Sequence, residues 1–500
     1  MSRFLRSAAL AAAYAAMLVA LGPSAPDGDA VGHLKKAADP SAIEAGHLLY
    51  VPCLRAAVHA AGAIDPVDGW LPGRCLSAIA VAAAALVVAG AARRVAPRTG
   101  GTAGLLFAGC AAVFGAGSTV ESYGITLLAI AIVASASLRA LDGSAVAAGI
   151  GGAAAGVAAG LHVGVAPLLV LPVAAALIGE RRSLARAALA ATAGAAVFLA
   201  PLVAVAVARS LDAAGTFALV RSADHGLPGF EGPWLVLSLP FGVARAIVDC
   251  PFPWEHPLSF ALRIGPALVV LAAGAGVLAR GARRAPEPAR LLLVAGALPL
   301  AAIAVAYYAS EPERWVVCLP LAVPIAAAGA NARSLVVFGV ALLALHVATV
   351  AIPGAVDPRP RERARAMSER LETRELVVSP GHGVDEIVGF FERVEPERLL
   401  LAYEAGRLRS AGDAVLDEMA TRVRAAIADG RPVRVVRVFE DDGDARGWKD
   451  LKRIFGIERE QVIERLEVIG VRRPPAGAAF ARVEPRALTG SSGSKAGSSR

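Results

Sequence analysis

Two carboxylates flank a glycine in Asp27-Gly28-Asp29, directly after an apolar segment at the N-terminus. Carboxylate oxygens bind hard divalent cations. A carboxylate can also act as a general base toward a hydroxyl group. A solvated turn is the alternative interpretation of the same residues. Asp27 and Asp29 are therefore candidate catalytic residues and candidate ligands of a divalent metal ion.

Two further motifs pair an ionisable group with a tyrosine. His47 and Tyr50 would lie on one face of a helix, although an interfacial anchor would also explain Tyr50. Glu121 and Tyr123 begin an apolar segment. A carboxylate at that depth is costly and indicates function, while a helix N-terminus would also favour it.

The remaining candidates lie at the edges of later apolar segments. His162 separates two such segments and could simply belong to a loop. Arg314 follows Glu313 and could bind a phosphate or pair with its neighbour. The candidate substrate-binding or donor-binding residues are thus His47, Tyr50, Glu121, Tyr123, His162, Glu313 and Arg314.

The amino-acid composition indicates the class of protein in which these candidate residues occur. Of the 500 residues, 56% are hydrophobic and only 18% are charged, and the mean hydropathy is +0.58. Soluble proteins contain about 25% charged residues, so an ordinary soluble protein is excluded. The net charge of +8 resides largely in arginine clusters between apolar segments. This pattern is typical of cytoplasmic loops and does not indicate a nucleic-acid partner.

The apolar residues form segments near the roughly 20 residues that cross a membrane. We predict a polytopic α-helical membrane protein with about eleven spans within residues 1–352. Arginine clusters at alternate connections place the N-terminus in the cytoplasm, and an odd number of spans places the C-terminal region outside. The predicted spans are 5–22, 74–92, 102–117, 120–138, 143–160, 163–179, 184–208, 258–279, 289–308, 314–330 and 334–352.

Two predicted outer loops are long, and long loops are often functional. The first, 23–73, contains an amphipathic stretch from His47 to Ala61. The second, 209–257, is rich in proline and aromatic residues, which is typical of a segment at headgroup level. Most acidic residues and histidines of the membrane region fall in connections that the predicted topology places outside the cytoplasm.

Residues 357–486 have the composition of a small soluble domain. Strands are predicted at 375–378, 399–403 and 433–439, and helices at 384–393 and 413–428. We interpret this region as an accessory α/β domain outside the cytoplasm. The Gly/Ser-rich tail 487–500 is predicted to be disordered.

The order of the motifs resembles that of GT-C membrane glycosyltransferases over residues 1–352. An acidic motif follows the first span, and a His-Leu-Leu-Tyr segment comes next. Glu-x-Tyr then opens a span, Gly-Leu-x-x-Gly contains a histidine, and Glu-Arg precedes a Leu/Pro-rich span. The pattern looks closest to the bacterial relatives of protein O-mannosyltransferases, whose first loop carries Asp-Ser-Gly-Glu and then His-Pro-Pro-Gly-Tyr-Pro-Leu. In this chain Asp-Gly-Asp and Gly-His-Leu-Leu-Tyr stand at the corresponding places.

This resemblance implies an inverting glycosyltransferase of the bacterial inner membrane. The donor would be a polyprenyl-phosphate-linked sugar, and the acceptor an extracytoplasmic protein, lipid or glycan. Asp27 or Asp29 would act as the base, with a divalent metal ion as an optional cofactor. A transporter or flippase of lipid-linked envelope material is the alternative. Transporters place ionisable groups near the membrane midplane, whereas these spans are almost free of mid-span charge.

Overall fold

The fold is described from a computed structural model, in which the chain forms two compact units. The membrane unit comprises residues 1–224 and 228–357, and the C-terminal unit comprises 225–227 and 358–500. The described residues are 3–26, 28–63, 66–179, 182–216, 235–250, 257–306, 309–357, 362, 365, 375–379, 397–401, 412–436, 448, 451–452, 456–471 and 480–483.

The described part of the membrane unit is built of helices, most of them apolar. The first half contains α1 Arg3–Ala20, α2 Gly28–Ala38, α3 Tyr50–Ala60, α4 Trp70–Val95, α5 Gly100–Gly109, α6 Ala111–Ser118, α7 Ser122–Leu141, α8 Ala145–Leu161, the 3₁₀ segment Val163–Leu169, and α9 Val170–Ile178. The second half contains α10 Leu184–Ala208, α11 Leu235–Ile247, α12 Pro257–Arg284, α13 Glu287–Ala306, α14 Pro312–Val316, α15 Leu319–Gly329, α16 Ala332–His346, the π-helical turn Val347–Ala351, and α17 Ile352–Val356.

The helices confirm the predicted class of polytopic helical membrane protein. Among the described residues, six helices are long and apolar enough to cross a membrane, or seven if the bent pair α5 and α6 is one span. Five further apolar helices have 10–17 residues. Each predicted apolar segment coincides with a helix or a group of adjoining helices, but the count of eleven crossings stays a prediction.

Both long connections contain helices, of which only α3 was anticipated; His47 ends a 3₁₀ turn just before it, so His47 and Tyr50 do not share one helix as predicted. Residues 23–73 hold α2 and α3, and the second of these covers most of the predicted amphipathic stretch. Residues 209–257 hold α11, a 13-residue apolar helix. The physical reason is that a helix pairs its own backbone groups, which is favourable wherever an apolar segment leaves water for lipid or for the protein interior.

Glycines let neighbouring helices of the membrane unit approach closely. A Cβ atom on Gly152 of α8 would overlap the backbone of Ala190 in α10, and one on Gly156 would overlap the carbonyl oxygen of Gly194. Such contacts replace the hydrophobic driving force that is missing between helices in lipid. They hold α8 in place, and the C-terminal end of α8 contributes to the site described below.

The C-terminal unit contains a four-stranded sheet, in agreement with the predicted α/β domain. The strands β1 Leu376–Ser379, β2 Glu397–Leu400, β3 Val433–Val436 and β4 Phe480–Val483 lie in the order β2-β1-β3-β4. The first three are parallel and β4 is antiparallel. Helices α18 Gly412–Ala428 and α19 Arg459–Val468 supply apolar residues to its core.

The sequence predicted the three parallel strands and α18 but missed β4 and α19. The predicted helix 384–393 and the tail 487–500 lie outside the described residues.

The close approach of α8 and α10 predicts that alanine substitutions at two glycines will differ in their effect on thermal stability. Gly152→Ala should lower the apparent melting temperature of the detergent-solubilised protein, because overpacking costs about 1–3 kcal/mol. Gly274→Ala is the control, since a Cβ there meets no atom within 4 Å. Equal melting temperatures for the two variants would contradict the proposed helix contact.

Candidate active site

Arg314 and Tyr123, two of the predicted residues, are in direct contact. The guanidinium Nη1 of Arg314, on α14, donates a hydrogen bond of 3.1 Å to the hydroxyl of Tyr123 at the start of α7. The Nε atom of Arg314 is buried, and no described residue accepts a hydrogen bond from it. One donor of this guanidinium therefore remains for an anionic or polar ligand.

Carboxylates surround this pair. Electrostatic interactions connect Arg314 with Glu313, Glu311 and Asp29, and connect the Tyr123 hydroxyl with Glu313 and Asp29. The structure thus places Asp29 of the first outer segment within electrostatic range of Arg314 and of the Tyr123 hydroxyl.

Glu121 occupies the N-cap position of α7, but its side chain makes no capping hydrogen bond. Its charge also influences the Tyr123 hydroxyl. Glu121 therefore lies both at the helix N-terminus and within electrostatic range of the candidate site, and its role in the site stays a prediction.

Helix α2 carries Asp29 in its first turn, with the side chain exposed. The guanidinium of Arg55, on α3, fixes the other end of α2 through hydrogen bonds to the carbonyl oxygens of Ala37 at 3.1 Å and Asp39 at 2.6 Å. It also donates to the carbonyl oxygens of Lys36 and Ala42. These acceptors include carbonyls that a helix C-terminus leaves unsatisfied, so Arg55 holds α2 in position.

A row of aromatic and imidazole rings extends from Tyr123 into the first outer segment. The centroids of neighbouring rings are 5.2 Å apart for Tyr123 and His162, 5.1 Å for His162 and His47, and 5.5 Å for His47 and His33. Tyr50 packs on His33 at 4.8 Å. The predicted residues His47, Tyr50, Tyr123 and His162 therefore meet in one cluster.

The hydrogen-bond partners assign the protons on two of these imidazoles. The Nδ1 atom of His47 lies 2.8 Å from the carbonyl oxygen of Leu161, which can only accept, so Nδ1 carries a proton. The Nδ1 atom of His162 accepts from the backbone N–H of Gly164 at 3.1 Å. The proton of the His162 ring is therefore on Nε2, which makes His162 a hydrogen-bond donor at that atom.

The sequence analysis missed a buried ion cluster at the end of this row. The Nδ1 atom of His33 is 3.1 Å from one carboxylate oxygen of Glu44, and the Nζ atom of Lys36 is 2.7 Å from the other. Burial alone would raise the pKa of Glu44, but the hydrogen bond and charge of His33, together with Lys36, lower it to about 2. The spacing of His33 and Lys36 on one face of a helix was the available signal.

The metal assignment stays a prediction. These residues contain no group of three or more His, Cys, Asp or Glu side chains that could hold a metal ion. Asp27 lies outside the described residues, so the predicted pair can be placed only through Asp29.

The predicted residue Glu313 is exposed beside Arg314.

Comparison with solved structures identifies the architecture. The chain is similar to ArnT from Cupriavidus metallidurans, a GT-C glycosyltransferase, in its crystal structure bound to undecaprenyl phosphate. The TM-score is 0.60 at 13% identity, over 86% of this chain and 92% of ArnT. The apo structure of ArnT gives a TM-score of 0.54 at 14% identity, with the same coverage. The chain has the GT-C fold.

The GT-C fold confirms the resemblance inferred from the motifs at the level of architecture. No protein-family model and no curated protein sequence matches the chain. The narrower likeness to O-mannosyltransferase relatives therefore remains a resemblance.

The cluster of His33, Lys36 and Glu44 in the membrane unit predicts that the stability of the protein depends on pH. A carboxylate whose pKa falls from 4.5 to about 2 on folding stabilises the protein by at most about 3 kcal/mol above pH 4.5. This stabilisation is lost as the pH falls through about 2. Glu44→Gln should therefore lower the melting temperature at pH 7, and the difference from wild type should shrink below pH 4.5. The exposed Asp68→Asn variant is the control, and a difference independent of pH would contradict the ionised carboxylate.

Proposed function

We propose that the protein transfers a sugar from a polyprenyl-phosphate donor to an acceptor at the outer face of the membrane. The observation that carries this proposal is the contact of Arg314 with Tyr123, within electrostatic range of Asp29, in the GT-C fold. A half-buried guanidinium whose Nε donor has no acceptor among the described residues suits a lipid phosphate. The binding of undecaprenyl phosphate by ArnT supports the same ligand class here.

The reaction would be a single inverting displacement. The acceptor hydroxyl oxygen attacks the anomeric carbon and forms the new glycosidic bond, while the bond from that carbon to the phosphate oxygen breaks. Asp29 takes the hydroxyl proton as general base. Arg314, the Tyr123 hydroxyl and His162 Nε2–H would stabilise the departing phosphate as its charge increases. Attack and departure on opposite faces of the ring invert the anomeric configuration.

The remaining predicted roles follow from the same cluster. His47 and Tyr50 would help to form the donor side of the site, and Glu121 and Glu313 would balance the charge of Arg314. The acceptor would be a protein, lipid or glycan outside the cytoplasm. We further propose a location in a bacterial inner membrane, with the N-terminus in the cytoplasm and the C-terminal unit outside. The fold supports this function over the transporter or flippase considered as the alternative.

The phosphate role of Arg314 is tested by binding alone. Arg314→Gln should weaken the binding of undecaprenyl phosphate to the purified protein by about 10-fold to 100-fold, the value of a charged hydrogen bond. Native mass spectrometry would measure the bound fraction. Arg209→Gln is the control. It removes an exposed arginine of the membrane unit that donates to the carbonyl oxygen of Ser41, and it should leave the affinity unchanged. Equal binding by both variants would exclude Arg314 from the phosphate site.

The base assignment is tested by turnover. Asp29→Asn should slow the release of undecaprenyl phosphate from its hexose and pentose derivatives at least about 100-fold, with undecaprenyl phosphate binding retained. Asp68→Asn is the matched control, an exposed carboxylate in the same outer segment. Asp27→Asn and the double variant are measured beside it. Full turnover in all three variants would refute a first-segment base.

Chelation tests the proposed metal ion in the same assay. Loss of turnover in EDTA with recovery in Mn²⁺ would support a metal ion at Asp27 and Asp29. Unchanged turnover in EDTA would exclude a dependence on such an ion.

A further inference from the structure

Arg74, near the N-terminal end of α4, is a buried arginine to which the proposed reaction gives no role. Only 8% of its surface is exposed. Its Nε atom donates to the carbonyl oxygen of Ser118 at 3.1 Å, and its Nη2 atom donates to the carbonyl oxygen of Val19. The guanidinium carbon also lies 5.4 Å from the centroid of the Trp70 ring. Burying a charge is costly unless hydrogen bonds compensate for it, so these contacts explain how Arg74 can be buried.

The two carbonyl oxygens belong to the C-terminal ends of two different helices. Val19 lies in the last turn of α1, and Ser118 is the last residue of α6. A helix leaves its last four carbonyl oxygens without intrahelical donors, and a cation at that end interacts favourably with the helix dipole. The planar fork of a guanidinium can bind both ends at once, which a compact ammonium group does less well. Arg74 therefore joins the end of α1 to the end of α6.

Glycines allow these two helix ends to meet at Arg74. A Cβ atom on Gly22, just beyond α1, would overlap the guanidinium of Arg74 and crowd the carbonyl oxygen of Ser118. A Cβ atom on Gly117 of α6 would lie 2.7 Å from a methyl carbon of Leu18, a fully buried side chain of α1. Carbon atoms pack best at about 3.5–4.0 Å, so larger residues at these positions would push α1 away from α6.

The end of α6 leads directly into the proposed phosphate site. The chain passes from Ser118 through Val120, which has no exposed surface, and reaches Tyr123 five residues later. A Cβ atom on Gly73, next to Arg74, would lie 2.9 Å from a methyl carbon of Val120. The corner between α6 and α7 is therefore packed closely against α4, so the anchor at Ser118 also restrains the start of α7.

The end of α1 leads into the acidic segment and α2. The N–H of Ser24 donates to the carbonyl oxygen of Gly354 at 3.1 Å, and its hydroxyl donates to that of Asp357 at 2.7 Å. Ala30, which follows Asp29 on α2, has no exposed surface. The chain is thus restrained before and after the acidic residues, and a shift at the end of α1 would be passed on to α2.

We propose that Arg74 is a positioning residue that fixes the distance between the first outer segment and the phosphate site formed by Tyr123 and Arg314. This inference rests on the function proposed above. An inverting displacement places the attacking hydroxyl and the departing phosphate on opposite faces of the sugar ring. The two halves of the site must therefore be held apart by a fixed distance that admits the ring. A misplacement of about 1 Å costs up to about 100-fold in rate, and Arg74 sets this spacing through the backbone.

The test replaces Arg74 in two ways and uses Arg94→Gln as the matched control. Arg74→Lys keeps the positive charge but removes the planar fork, whereas Arg74→Ala removes both. Arg94 is an exposed arginine at the other end of α4, where it pairs with Asp142. Turnover of the undecaprenyl-phosphate sugar that the wild-type protein cleaves is measured in nanodiscs, at one pH and below the melting temperature of every variant.

The expected result is a loss of kcat with donor binding retained. Both Arg74 variants should lower kcat by about 10-fold to 100-fold. The donor KM and the affinity for undecaprenyl phosphate should stay within about twofold of wild type, because Arg314 is untouched. Arg94→Gln should match wild type in all three quantities.

Two further measurements give signatures that general packing would not produce. Methylguanidinium added to the Arg74→Ala protein should replace the missing group and restore kcat several-fold, whereas tetramethylammonium, which has no N–H donors, should not. In both Arg74 variants, hydrogen–deuterium exchange should become faster at residues 21–25 and 119–122 and stay as in wild type along α10.

The outcomes separate this inference from the proposed function. Wild-type kcat in folded Arg74→Lys and Arg74→Ala proteins would refute the positioning role, and inactive Asp29→Asn would then leave the transferase standing. If Arg74→Ala does not fold, wild-type kcat in Arg74→Lys alone refutes it. Faster exchange throughout the membrane unit, without rescue by methylguanidinium, would also refute it, because it indicates packing alone. If the wild-type protein cleaves no undecaprenyl-phosphate sugar, both proposals fall.

Discussion

The high cost of placing charge in a bilayer determines the arrangement of this protein. Because ionisable groups are expensive in hydrocarbon, the candidate site is assembled from helix ends and the segments between them. The hydrogen bond from Arg314 to Tyr123 joins two of these ends, and Asp29 approaches the same pair from the first outer segment. A residue at one helix end becomes chemically useful only when packing brings the other ends to it.

The first outer segment provides that packing through backbone contacts. The N–H of Leu49 donates to the carbonyl oxygen of Gly160 at 2.8 Å, and His47 binds the next carbonyl, that of Leu161. Both carbonyls belong to the last turn of α8, where helical hydrogen bonding leaves acceptors over. Arg55 uses the corresponding acceptors near the end of α2. The unsatisfied ends of two helices thus position the histidines and the proposed base.

The sequence allowed the helical spans and much of this site to be predicted, for different reasons. The spans follow from composition, since an apolar run near the membrane thickness has few alternatives. His47, Tyr50, Tyr123, His162 and Arg314 stood out because polar groups are rare at the edges of apolar segments, and the structure brings them together. His33 and Glu44 were missed because they are eleven residues apart and form no recognisable sequence motif. Their contact arises only because the chain changes direction between α2 and α3.

The balance of charge around Arg314 bears on how a donor would start the reaction. Before any ligand binds, this guanidinium already interacts with Glu311, Glu313 and Asp29. In the proposed reaction, an arriving lipid phosphate competes with these carboxylates for the same cation. Donor binding and the proposed base therefore depend on the same cation, so that the two are coupled electrostatically through a single arginine.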